Sequence, residues 1–171
     1  MRSPILTGAI ALAVCSLAAC GGGGGSTQPS TRTIRGSHFV FRAPFDWHVR
    51  RRGNEVGAAP KPIAPELVSV STFPLLHGYR PALFAAVRRE LDGDARQLAT
   101  RLGGSVEKSA TVIVAGSRSR QYELRYSSGG QDFHQRITFV LRGKTEFQLL
   151  CRWTGSEPSA CAQLERTFTP V

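Results

Sequence analysis

Two changes of hydrophobic period predict an α+β fold, an antiparallel β-sheet with helices packed on it. From Val112 to Trp153 apolar residues recur at every second position. Glycines punctuate these runs, as they do in strands joined to antiparallel neighbours by short turns. Between Pro81 and Leu102, and again between Pro158 and Phe168, the apolar spacing lengthens to three and four residues, the period of a helix. Ahead of these elements lies a segment, residues 1–32, whose composition is that of an address and a tether.

In that leading segment Arg2 is followed by a run from Ile5 to Ala19 that is apolar apart from Thr7, Ser16 and a few small residues. The run is short for a membrane span, which takes roughly 20 apolar residues, and it has the build of an export signal. It stops at Leu17-Ala18-Ala19-Cys20, which resembles the lipobox of bacterial lipoproteins. There the chain is cut before the cysteine, and the thiol carries a diacylglycerol. Residues 1–19 are therefore expected to be a lipoprotein signal peptide and Cys20 the lipidated residue, with an uncleaved anchor as the alternative. Cys15 follows Leu12-Ala13-Val14 and lies too early for that role. Residues 20–32, with Gly21 to Gly25 followed by Ser26-Thr27-Gln28-Pro29-Ser30-Thr31, read as a Gly/Ser-rich tether. Residues 33–171 are the expected domain, long enough to bury a sizeable core.

Within the domain, Ser37 to Arg42 reads as a strand ending at Pro44, and Trp47 to Arg51 as a second, paired with the first across a turn at Pro44 and Asp46. Prolines 60, 62 and 65 predict an irregular loop over Gly53 to Glu66. The β-rich run Leu67 to Phe73 makes a third strand. Pro81 suits a first helical turn, and Leu83, Phe84, Val87 and Leu91 fall on one face. Asp92-Gly93-Asp94 is expected to interrupt this helix, with Asp94 capping a shorter one that carries Leu98 and Leu102 and stops at Gly103-Gly104. Four strands follow, marked by Val112 and Val114, by Tyr122, Leu124 and Tyr126, by Phe133 to Leu141, and by Phe147 to Trp153. The last helix directs Cys161, Leu164 and Phe168 inward.

The formal charge is +10, and losing Arg2 with the leader leaves +9. Two readings of this arginine-rich balance stand side by side: a solvated surface, or attraction to anionic headgroups or acidic envelope polymers. The densest cluster, Arg50, Arg51 and Arg52, is the candidate basic contact; in a strand it alternates sides and exposes at least two guanidinium groups. Nucleic acid is not an expected partner of an exported, tethered chain, and no interleaving of basic and aromatic residues points to it. Cys151 and Cys161 remain after the leader and Cys20, and in an oxidising compartment they are expected to form a disulfide. Their spacing is not that of a two-residue redox motif, and no histidine stands near to complete a zinc site.

No Gly-x-Ser-x-Gly elbow, phosphate-cradling glycine motif or helical His pair occurs, so no catalytic or metal-binding residues are assigned. His38 and His48 face each other across the expected first hairpin and read as solvated strand histidines. Asp92-Gly93-Asp94 lacks the further oxygen ligands of a calcium loop. Trp47 and Trp153 read as core aromatics.

The string Phe39-Val40-Phe41-x-x-Pro44-x-x-Trp47 resembles the opening of the PsbP-like (Mog/PsbP, DcrB/LpqN-type) family. The ending, a strand into Cys151, a short loop and a helix closing on Thr167-Phe168, resembles the same family, so the similarity runs over roughly residues 33–171. The resemblance implies a three-layer α-β-α sandwich and no enzyme activity, and no cofactor is expected. It implies an accessory, binding or assembly-stabilising role, in many members that of an exported lipoprotein. Binding residues of the photosynthetic members have no counterparts here, and none is carried over. The expected function is that of a membrane-anchored envelope lipoprotein on the extracytoplasmic side, binding an envelope protein or an anionic envelope component. The alternative is a carrier of a small apolar or lipid ligand, in a cavity lined by residues such as Phe84, Phe139 and Trp153.

Overall fold

The computed structural model describes residues 30–171; the expected signal peptide, Cys20 and the tether up to residue 29 lie outside the described residues. The elements run β1 (Thr31–Arg35), β2 (Phe39–Pro44), β3 (His48–Arg52), β4 (Glu55–Ala59) and β5 (Leu67–Pro74). A 3-10 turn at Pro81–Leu83 then leads into α1 (Phe84–Arg101). After it come β6 (Ser105–Val114), β7 (Ser117–Ser128), β8 (Gln131–Arg142), β9 (Thr145–Trp153), α2 (Ser159–Thr167) and β10 (Thr169–Pro170). Seven strands form one antiparallel sheet in the order β3-β4-β5-β9-β8-β7-β6, and β1-β2-β10 form a small second sheet. The α+β class with an antiparallel sheet is as the sequence predicts.

Both faces of the large sheet are covered, and each covers a core. On one face Leu91, Ala95 and Ala99 of α1 pack on Tyr122, Leu124, Ile137 and Phe139. On the other, the small sheet and α2 bring Phe39, Phe41, Leu164 and Phe168 onto Val68, Val70, Val140, Phe147 and Leu149. Trp47 and Trp153 are buried in this second core, as expected of core aromatics. Two-sided burial explains why β8 is not a simple alternation: Thr138 and Val140 are as buried as Ile137 and Phe139.

Several boundaries differ from the sequence expectation. The expected irregular loop at 53–66 contains β4, whose Val56 and Ala58 are inserted between β3 and β5. Small residues hide such a strand: Gly57 and Ala58 carry no β signal, yet a Cβ on Gly57 would lie 2.8 Å from the Val68 carbonyl, so nothing larger fits. Consequently β2 and β3 do not pair; β2 lies between β1 and β10, and β3 pairs with β4. Strand β1 begins at Thr31, two residues ahead of the expected domain start. Helix α1 runs unbroken through Asp92-Gly93-Asp94, and Asp94 caps nothing. An interior glycine costs a helix about 1 kcal/mol, and burial of Leu91, Ala95 and Ala99 on either side outweighs it. The helix does stop at Gly103, which takes the left-handed conformation at φ +71° that a side chain disfavours.

Candidate functional site

Cys151 at the end of β9 and Cys161 in α2 form a disulfide with Cα atoms 5.4 Å apart, pinning the last helix to the centre of the large sheet. Both are buried in the core. Cys20 falls outside the described residues.

Arg50, Arg51 and Arg52 lie on β3, an edge strand, and alternate as a strand requires. Arg50 pairs with Glu55 at 3.0 Å, while Arg51 reaches across to donate to the Arg35 carbonyl at 3.0 Å. All three are exposed, but they do not form one cluster, because Arg51 serves to bridge β3 to β1. His38 precedes β2 and His48 opens β3, strands of different sheets, so the facing pair expected across a hairpin does not form. Among the described residues no three His, Cys, Asp or Glu side chains converge as metal ligands.

Two polar networks hold the layers in place. Under α1, the Tyr122 hydroxyl and Arg120 Nε donate to Asp92 Oδ1 at 2.7 and 2.9 Å. Partial burial opposes ionisation of Asp92, but the Tyr122 hydrogen bond and the Arg120 guanidinium outweigh it and hold the carboxyl below its usual range. Burial, with the hydrogen bond to Asp92 adding to it, pushes the Tyr122 phenol up. Under α2, Glu165 accepts from Gln121 Nε2 at 2.8 Å and Thr138 Oγ1 at 3.2 Å. Burial raises its pKa against the opposing pull of Arg136. Arg136 itself is clamped between Glu123 at 2.9 Å and Glu157 at 2.6 Å. These groups satisfy one another, which is the pattern of structural anchors.

A groove with unspent binding capacity runs along the flank of α1 that faces β9. Its first part, about 360 Å³, is walled by Leu75, Leu76 and Tyr79 from the β5–α1 connection and by Leu83, Val87 and Leu91 of the helix. Its second part, about 310 Å³, continues between Leu98 and the sheet residues Leu124, Ile137 and Phe139. Leu91, Asp94 and Glu146 line both parts. Leu76 is 94% exposed and Leu83 46% exposed. The lining differs from the one expected for a carrier. Phe139 borders the groove, but Trp153 lies on the opposite face of the sheet stacked on His134, and Phe84 sits beneath the Arg118 guanidinium. The 74–80 connection carried no expectation from the sequence, although the apolar pair Leu75-Leu76 between Pro74 and Pro81 was a readable signal.

No family model and no curated protein matches the chain by sequence. Solved structures do match. The solution structure of cyanobacterial PsbP (CyanoP) from Synechocystis superposes with a TM-score of 0.62 at 13% identity, over 91% of this chain and 99% of that one. A crystal structure from Bacteroides thetaiotaomicron gives a TM-score of 0.55 at 11% identity, over 83% of this chain; this chain spans about half of that protein, 48%. LpqN of Mycobacterium tuberculosis, described as involved in cell envelope biogenesis, gives 0.48 at 12% identity, over 82% of this chain and 90% of that one. At these identities the likeness shows the fold alone. The chain has the PsbP-like fold that its opening and closing strings resemble.

Proposed function

We propose that this chain is a lipid-anchored extracytoplasmic lipoprotein whose PsbP-like domain binds an envelope protein or an anionic envelope component and plays an accessory, non-enzymatic role. One observation carries the reading: Leu17-Ala18-Ala19-Cys20 stands at the end of an export leader, and the first strand of a self-contained domain begins at Thr31, a short Gly/Ser-rich stretch later. A single acyl chain holds weakly and two or more hold stably, so a diacylglycerol thioether on Cys20 would retain the domain at a membrane. No described helix is long and apolar enough to cross a bilayer. In this reading the exposed Arg50 and Arg52 on the β3 edge tune orientation toward anionic groups. Cells expressing the wild-type or Cys20→Ala chain are fractionated, and the mature mass is measured. Loss from the membrane fraction, or accumulation of uncleaved precursor, is expected; unchanged fractionation and mass in the variant overturn the anchor. Crosslinking in intact cells is expected to yield a discrete adduct, and absence of any adduct speaks against the binding role.

A carrier of a small apolar or lipid ligand is the second reading, favoured by the apolar floor of the α1 groove. Native mass spectrometry of freshly purified protein tests it, through retention of an apolar ligand that is lost when Leu76 is made charged.

A further inference from the structure

We infer that the groove along α1 docks a polypeptide segment of a partner protein that combines apolar with basic side chains. The inference rests on the binding role proposed above and names the site and the chemistry of its partner.

Charge singles this groove out. The chain carries +10, yet Glu90, Asp94 and Glu146 line the first part of the groove with no Lys or Arg, and the second part adds a single arginine, Arg101, at the C-terminal end of the helix. Among the described residues none of these three carboxylates is in an ion pair, and Glu146 Oε1 accepts only the neutral Gln148 Nε2 at 2.7 Å, whereas Asp92, on the other side of Gly93 from Asp94, is paired with Arg120. Unpaired carboxylates beside an apolar floor repel fatty-acid carboxylates and anionic headgroups and attract Lys or Arg flanking an apolar anchor.

The walls are held in place before any partner arrives. The Leu75 and Tyr79 amides donate to the Lys144 and Gly143 carbonyls at 2.8 and 2.7 Å, tying the connection to the β8–β9 turn. Pro74 and Pro81 limit its ends. Leu76 and Leu83 are thus presented to solvent by a fixed scaffold, which lowers the entropy lost on docking. From Leu83 to Leu98 the helix flank extends roughly 22 Å, enough for about seven extended residues. Helix α1 covers the β6–β8 end of one sheet face, whereas β1, where the tether enters, lies over the other face and is bridged to the β3 edge. The groove and the strand at which the described chain begins thus lie on opposite faces of the large sheet.

The test is selection of random 12-residue displayed peptides against the chain from residue 20 onward carrying Cys20→Ser. This form keeps both hydrophobic cores, which lie wholly between Ile34 and Phe168. Recovered peptides are expected to pair Lys or Arg with Leu, Ile or Phe. Their Kd should rise about tenfold on Glu90→Lys/Glu146→Lys reversal and rise again with added salt. Leu76→Asp, at an exposed position that leaves the core intact, should abolish binding at unchanged Tm. No enrichment, enrichment of acidic or uncharged peptides, or indifference to these substitutions overturns the inference. So does an acyl ligand found in the groove by native mass spectrometry. If wild-type and Leu76→Asp chains give the same crosslinked adduct in cells, the binding role stands and the groove assignment falls.

Discussion

Removing the Cys151–Cys161 link tests how this domain holds its last helix. The two cysteines are 10 residues apart, so the loop they close is short. In the chain-entropy model a loop of that length contributes roughly 2.7 kcal/mol at 25 °C. Each alanine also deletes a buried sulfur from the core that joins α2 to β9, which brings the expected loss for Cys151→Ala/Cys161→Ala to about 3 kcal/mol. For a domain of this size that corresponds to a Tm lower by roughly 10 °C. Urea unfolding followed by circular dichroism reads the loss directly, with wild type, double variant and reduced wild type side by side. The midpoint should fall in the latter two and m should rise slightly, because the unlinked chain unfolds to a more open ensemble. Dithiothreitol without denaturant should leave the bond intact, since exchange requires a thiolate to reach sulfurs that here are 3% and 0% exposed at the residue level. A double variant within 1 kcal/mol of wild type would refute the loop-entropy reasoning. Two free thiols in the denatured, unreduced protein would refute the bond itself.

Three further outcomes follow from the anchors and the glycines. Asp92 titrates in the folded state below its usual value of 3.8, so its contribution is complete above that pH and is lost as pH falls through the lower folded value. Asp92→Asn should cost on the order of 1 kcal/mol at pH 7 and progressively less as pH falls below 3.8; a loss that does not shrink with falling pH would contradict the assignment. Glu165 is raised above 4.5, the opposite sign: the stability it contributes is complete below 4.5 and is lost as pH rises through the folded value. Glu165→Gln should therefore flatten the decline that sets in as pH rises above 4.5 in thermal melts, and an unchanged slope would show the group is not responsible. At Gly104 a Cβ would sit 2.0 Å from the Arg125 carbonyl oxygen, so Gly104→Ala should destabilise by more than about 2 kcal/mol. At Gly93 nothing lies within 4 Å of such a Cβ, so Gly93→Ala should stabilise α1 by about 0.5–1 kcal/mol; urea midpoints moving in the same direction for both would refute the contrast.

Local pattern determined most of the element types in this protein. Alternation in β7 and β9 and the helical spacing around Leu91 and Leu164 follow which side of each element is the more deeply buried, and each is written into the order of residues. The disulfide was legible for a different reason: two cysteines left over in a domain read as exported have few other roles, and their placement in β9 and α2 brings them together. Three things required the tertiary structure. Strand β4 is built of small residues whose fit depends on the neighbouring Val68 backbone, a contact no propensity encodes. Continuity of α1 through Asp92-Gly93-Asp94 depends on the sheet face that buries Leu91, Ala95 and Ala99 and engages Asp92 through Arg120 and Tyr122, about 30 residues away in the chain. The first part of the α1 groove exists because the connection between β5 and α1 is tied to the β8–β9 turn, which brings Leu76 and Glu146 to one cavity beside the helix. Periodicity reports which side of an element is buried; which surfaces meet, and which carboxylates stay outside ion pairs, is decided by contacts between residues far apart in sequence.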